Sequence, residues 1–210
     1  MGIRCFVAVD VRLEGEGLEA YRNVRRSLEA ELRVKPVEEE NLHLTLRFLG
    51  EVEEGVVRRV GEALRGIRYP RFSVTLRGLG AFPSPGNPRV IWIGVEEGGE
   101  ELRGLRDEIE RALRGIVPRE EESFVAHLTI ARVKERARGA IEILKEYGDY
   151  EFGKVDVNEF KLKRSVLTRK GPIYTDIEVY PLVEGGGGNR GGQGEAQAPR
   201  GGAQEGGRGS

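Results

Sequence analysis

The chain has 210 residues, with 34 Lys and Arg against 35 Asp and Glu and a formal charge of −1. No overall field therefore draws it to nucleic acid, and any such contact must come from a local basic surface. Cys5 is the only cysteine, which excludes an internal disulfide; with no secretory leader pattern, a cytoplasmic protein is expected. No apolar run approaches the roughly 20 residues that span a bilayer, so a soluble protein is expected.

Charged residues make up 33% of the chain, and Met1 to Glu184 holds no glutamine and four asparagines, a bias that resembles heat-adapted proteins. Ile3 to Val9 reads as an interior strand. Leu18, Tyr21, Val24, Leu28 and Leu32, at steps of three and four, predict an amphipathic helix. Gly15 to Ala20 matches a dinucleotide fingerprint, but Glu16 and Glu19 would repel a pyrophosphate there, so it reads as a helix start. Pro36 breaks the chain.

Asn41 to Leu49 alternates, which predicts a strand with Leu42, Leu44, Leu46 and Phe48 on one face and His43, Thr45 and Arg47 on the other. A helix over Glu53–Ile67, a strand at Phe72–Leu76 and a loop over Ala81–Pro88 follow. The order then recurs: a strand at Val90–Val95, a helix through Leu102, Leu105, Ile109 and Leu113, and a strand at Phe124–Ala131. Val7 to His43 and Ile91 to His127 both span 36 residues, which indicates a duplicated unit. A helix from Ala140 and closing strands at Val155–Leu167 and Ile173–Leu182 complete the folded part.

The expected architecture is α+β: two pseudo-symmetric lobes from an internal duplication, with mainly antiparallel sheets, helices outside and the active site in the cleft between lobes. The bilobal domain is placed at residues 1–183, with repeats at about 3–79 and 89–157 and closing strands to 183. Residues 184–210 read as a disordered Gly/Arg-rich tail, since twelve of the last twenty-six residues are glycine.

His43 and His127 are the chain's only histidines, and each begins His-Leu-Thr followed by an aliphatic residue. Side chains two apart on a strand point the same way, so His43 with Thr45, and His127 with Thr129, each present an imidazole and a hydroxyl on one surface. Two such pairs suit an acid and a base at opposite ends of a displacement on an anionic ester. No cysteine or aspartate joins the histidines at ligand spacing, so no metal is expected.

His43-Leu44-Thr45-Leu46 and His127-Leu128-Thr129-Ile130 match the paired motif of the two-histidine (2H) phosphoesterases. Arg4 to Asp10, Leu42 to Glu51, Ala81 to Pro85, Arg89 to Gly94, His127 to Arg132, and Ser165 to Leu167 with Gly171 to Tyr174 resemble the RNA 2′,3′-cyclic phosphodiesterase branch, also called 2′-5′ RNA ligases. The resemblance covers about Gly2 to Val183. It implies metal-free, cofactor-free opening of an RNA 2′,3′-cyclic phosphate end to a 2′-phosphate, with 2′-5′ ligation as the reverse chemistry and transfer RNA halves among the substrates. On this chain it implies His127 as base, His43 as acid to the 3′ oxygen, and Thr45, Thr129 and Arg132 as phosphate-binding residues.

Strand parity puts residue 132 on the face opposite His127, so Arg132 reaches the cleft only if the strand bends near Ala131. Arg47 has the parity of Thr45. Lys161, Lys163, Arg164, Arg169 and Lys170 form a basic stretch that could hold RNA or simply protect an edge. Phe6, Phe48, Phe82, Trp92 and Tyr174 could stack a base, although Phe6, Phe48 and Trp92 sit in core-like patterns. Two other functions fit the same residues: cyclic phosphodiester hydrolysis on a small nucleotide such as an ADP-ribose cyclic phosphate, and non-catalytic binding of RNA ends.

Overall fold

The structure is a computed structural model that describes residues 2–135 and 140–185. The expected tail lies, from residue 186 on, outside the described residues. Among the described residues nine strands and four α-helices follow in chain order: β1 Ile3–Asp10, α1 Gly15–Glu31, β2 Val34–Pro36, β3 His43–Val52, α2 Glu54–Leu64, β4 Phe72–Phe82, β5 Val90–Val95, α3 Gly99–Ala112, β6 His127–Val133, α4 Ala140–Glu146, β7 Glu151–Val157, β8 Glu159–Thr168 and β9 Gly171–Pro181. No helix among the described residues is long and apolar enough to cross a membrane.

The strands form one sheet in the order β7-β4-β5-β6-β3-β1-β8-β9, and β2 adds to β6. All named pairs are antiparallel. The α+β, duplicated character holds, but the halves are joined edge to edge along β6, which meets β3 through a single pair, Leu44↔Leu128, and β2 through three. They also exchange strands, because β4 pairs with β5 and β7, while β8 closes on β1. One face of the sheet carries Leu44, Leu46, Val7, Ile91, Ile93 and Leu128, all buried with the apolar sides of α1 and α3. The opposite face carries the polar motif residues.

The two halves repeat in register. Ala8↔Thr45, Val9↔Leu44 and Asp10↔His43 on β1–β3 become Trp92↔Thr129, Ile93↔Leu128 and Gly94↔His127 on β5–β6, an offset of 84 residues throughout. A bulge repeats with them. Val7 faces Arg47 while Ala8 faces Thr45, which leaves Leu46 unopposed; Ile91 faces Ala131 while Trp92 faces Thr129, which leaves Ile130 unopposed. A bulge inverts the alternation beyond it.

The inversion overturns two expectations from strict alternation. Phe48 leaves the leucine face and is 40% exposed, and Arg47 leaves the histidine face and is 7% exposed. Arg47 Nε lies 2.5 Å from Glu110 Oε1 of α3, and its Nη1 donates to the Phe48 carbonyl at 2.6 Å. Its Nη2 donates to the Pro118 carbonyl, which ties the segment after α3 to β3. Arg47 is thus a structural ion-pair partner, not a solvent-facing strand cation.

Two boundaries also differ from the alternation reading. The expected strand Val155–Leu167 breaks at Asn158, because β7 pairs with β4 while β8 pairs with β1, on opposite sides of the sheet. β4 runs through Phe82, so the expected loop is shorter at its start.

Breaking a buried ion pair strands the remaining charge, at a cost of about 3 kcal/mol. Arg47→Ala and Glu110→Ala should each lose roughly that in urea unfolding, and the double variant should lose clearly less than the sum. Additive losses would show that the pair is not coupled.

Candidate active site

The Leu44↔Leu128 pair decides how the motifs meet. In an antiparallel ladder the residues flanking a pair also face each other, so His43 stands across from Thr129 and Thr45 across from His127. The two histidines occupy one diagonal and the two threonines the other. All four are half-buried on the face opposite the leucines.

Each imidazole is held in the same way. His43 Nδ1 lies 2.7 Å from the Asn41 carbonyl, and His127 Nδ1 lies 2.7 Å from the Val125 carbonyl. A carbonyl oxygen only accepts, so Nδ1 carries the hydrogen in both rings, and in the neutral form Nε2 is left as the free, basic nitrogen. The two carbonyls are again 84 residues apart. No side-chain pattern could have revealed them, because the backbone supplies them.

The surroundings of the two rings differ. His43 packs on Phe6 and Tyr174, with ring centroids 5.0 and 5.3 Å away. His127 packs on Phe82 at 5.0 Å and lies 6.3 Å from Trp92. The Trp92 indole lies against the backbone of Gly80, where an added Cβ would fall 2.2 Å from the ring. Phe6 is buried, as its core-like pattern indicated, yet it still borders His43; Trp92 is only partly buried and belongs to the site face.

The expected basic stretch divides. Lys161 and Lys163 each bond Asp10 and Asp176, at 2.8 and 2.9 Å, in a closed four-charge cluster. Asp10 pairs with His43 across β1 and β3. Burial pushes the pKa of His43 below its ordinary value, and the positive charges of Lys163 and Arg132 add to this; the Asn41 carbonyl and Asp10 oppose it.

Arg132 reaches the site because of the bulge at Ile130, which returns residue 132 to the face of Thr129 and His127. A cavity of about 330 Å³ opens there, with His43, Thr45, Thr129, Arg132 and Tyr174 in its wall. His127 is not part of that wall; it stands beside Phe82 and Trp92 on the same sheet face. Four of the five expected site residues thus share one cavity, and the fifth adjoins them across the β3–β6 pair. Among the described residues, no His, Cys, Asp and Glu cluster suits a metal ion.

The model of the family described as LigT like Phosphoesterase matches the chain twice in tandem, over residues 11–92 and 93–174, with one His-Leu-Thr motif in each match. The chain belongs to the LigT-like, two-histidine phosphoesterase family. Its relatives include a protein of Aeropyrum pernix named RNA 2′,3′-cyclic phosphodiesterase, 51% identical over 157 residues, 73% of this chain and 89% of that one. An Archaeoglobus fulgidus protein of the same name is 43% identical over 178 residues, 85% of this chain and 99% of that one. The crystal structure of E. coli LigT complexed with 3′-AMP superposes with a TM-score of 0.66 at 25% identity, covering 88% of this chain and all of that one.

Within this LigT-like chain the depressed pKa of His43 has a definite sign for stability. Between its folded pKa and its ordinary value near 6.5 the unfolded chain binds the extra proton, so stability is full above about pH 6.5 and falls as pH drops through the folded value. Histidine titration by NMR should show His43 as the Nδ1–H tautomer with a midpoint below 6.5. A midpoint at or above 6.5, or the Nε2–H tautomer, would contradict this geometry.

Proposed function

We propose that this protein opens RNA 2′,3′-cyclic phosphate ends to 2′-phosphates in the cytoplasm, using its two histidines as general acid and base and no metal or cofactor. The observation that carries this reading is the β3–β6 register, which supports both imidazole–hydroxyl pairs lying side by side on one sheet face, with His43, Thr45 and Thr129 in the wall of one cavity. The names of the curated relatives support the substrate.

In this reading water attacks phosphorus and gives its proton to His127 Nε2. The bond from phosphorus to the 3′ oxygen breaks, and His43 Nε2–H protonates that oxygen. Charge developing on the non-bridging oxygens is met by the Thr45 and Thr129 hydroxyls and the Arg132 guanidinium. With an RNA 5′-hydroxyl attacking phosphorus in place of water, and the 3′ oxygen again departing, the same groups would give 2′-5′ ligation. Ends left by cleaved transfer RNA are fitting substrates.

Burial holds the pKa of His43 below its ordinary value, which favours the neutral form at neutral pH, so its acid role requires that it take up a proton with the substrate. An anionic phosphate beside the ring favours the charged form and supplies that bias. A substrate with sulfur at the 3′ bridging position tests the allocation, since a thiolate departs without an acid. His43→Ala should be largely rescued on it and His127→Ala should not; the opposite pattern would exchange the two roles.

The reading itself is tested by incubating the protein in EDTA with a short RNA ending in a 2′,3′-cyclic phosphate. A 2′-phosphate should form, and His43→Ala and His127→Ala should each lower turnover by about 10²- to 10⁴-fold. A need for added metal, or near-parental turnover in either variant, would refute it.

A further inference from the structure

The cavity beside His43 extends past the motif residues to two lysines that the two-histidine mechanism does not use, Lys35 of β2 and Lys170 of the β8–β9 turn. Lys35 is the direct partner of Arg132 across β2 and β6. Like charges placed opposite each other on paired strands destabilise the pair. Among the described residues no carboxylate lies within ion-pair distance of Lys35, Arg132 or Lys170. The two acids in the same wall, Glu29 and Glu38, are both turned to Arg25, at 3.7 and 3.0 Å.

Lys35 also reaches the β8–β9 turn. Its Cε and Nζ lie 3.2 and 3.1 Å from where a Cβ on Gly171 would be, and Gly171 has φ of +130°, which favours glycine. The ammonium therefore lies over the β8–β9 turn, one residue from Lys170. That turn is fixed by the Thr168 hydroxyl, which donates to the Gly171 carbonyl at 2.6 Å and accepts from the Lys170 amide at 3.2 Å. Three cations on three separate elements face one cavity with no carboxylate within ion-pair distance of any of them among the described residues, which is an arrangement an anion completes.

We propose that Lys35 and Lys170 form a second phosphate subsite next to Arg132. It holds a phosphate on the 5′ oxygen of the nucleoside that carries the cyclic phosphate, and in RNA that phosphate is the next phosphodiester of the strand. The inference rests on the hydrolase reading above and refines it, because it makes the enzyme prefer a strand end over a lone nucleoside. Tyr174 lies in the same wall and packs on His43.

The test compares three substrates: adenosine 2′,3′-cyclic phosphate, its 5′-phosphorylated form, and a dinucleotide ending in a 2′,3′-cyclic phosphate. In the parent, kcat/KM for the dinucleotide should exceed that for the bare nucleoside, and Lys35→Gln with Lys170→Gln should cut that ratio by about tenfold, the worth of a charge-assisted contact. The slope of log(kcat/KM) against log salt for the dinucleotide should become shallower by about 0.7, as for one phosphate contact on a single strand. Both substrates are read on the same protein, so a folding loss cancels in the ratio. An unchanged ratio would overturn the subsite, and a preference confined to the 5′-phosphorylated mononucleotide would overturn RNA as its occupant. Affinities for the dinucleotide ending in a 2′-phosphate and for adenosine 2′-phosphate give the same ratio without turnover. A parent that hydrolyses nothing would therefore defeat the hydrolase reading while the binding ratio still decided the subsite.

Discussion

The antiparallel contact between Leu44 and Leu128 is the constraint on which the site depends. In the proposed reading each motif strand carries half of an acid–base pair, and neither half suffices alone. One backbone pair between equivalent residues fixes the register and puts each histidine opposite the other strand's threonine. The leucines that make the contact sit on the helix-covered face, so the same residues that bury the core also align the chemistry. A slip of one residue in this pairing would send the imidazoles of one strand into the core.

Much of this was legible in the sequence. Two histidines in one repeated context, at a constant distance from an apolar strand, mark the duplication and the candidate pair. What the alternation could not show is that it is interrupted. Leu46-Arg47 and Ile130-Ala131 read as ordinary strand residues, yet a bulge at each motif strand reverses the faces that follow. That single device explains why Arg47 is buried against Glu110, why Phe48 is exposed, and how Arg132 reaches the threonines. The break at Asn158 did leave a trace: the apolar residues Val155 and Val157 fall on the odd phase, then Phe160 and Leu162 on the even one. The exchange of β4 and β8 between halves left none, since strand order in space is not written in local periodicity.

The duplication supplies symmetry in the backbone, and the side chains around it remove that symmetry. β8 lies on β1 as β4 lies on β5, so Lys163 of the first half corresponds to Phe82 of the second, and Lys161 to Gly80. His43 therefore has the Lys161–Lys163–Asp10–Asp176 cluster near its aromatic neighbours Phe6 and Tyr174, while Phe82 and Gly80 take the equivalent positions near His127. Two identical motifs thereby meet different electrostatic surroundings, which is the condition for one to give a proton while the other takes it. The cations at Lys35, Arg132 and Lys170 extend the asymmetry in one direction only, towards α1 and the β8–β9 turn.

The central claim is that both motifs act on one phosphorus atom held between them. A crystal structure of the protein with adenosine 2′-phosphate bound tests it directly. The phosphate should lie between His43 Nε2 and His127 Nε2, within hydrogen-bond distance of both and of the Thr45 and Thr129 hydroxyls. A phosphate that touches only one motif, or that sits among Lys35 and Lys170 with both imidazoles free, would contradict the account.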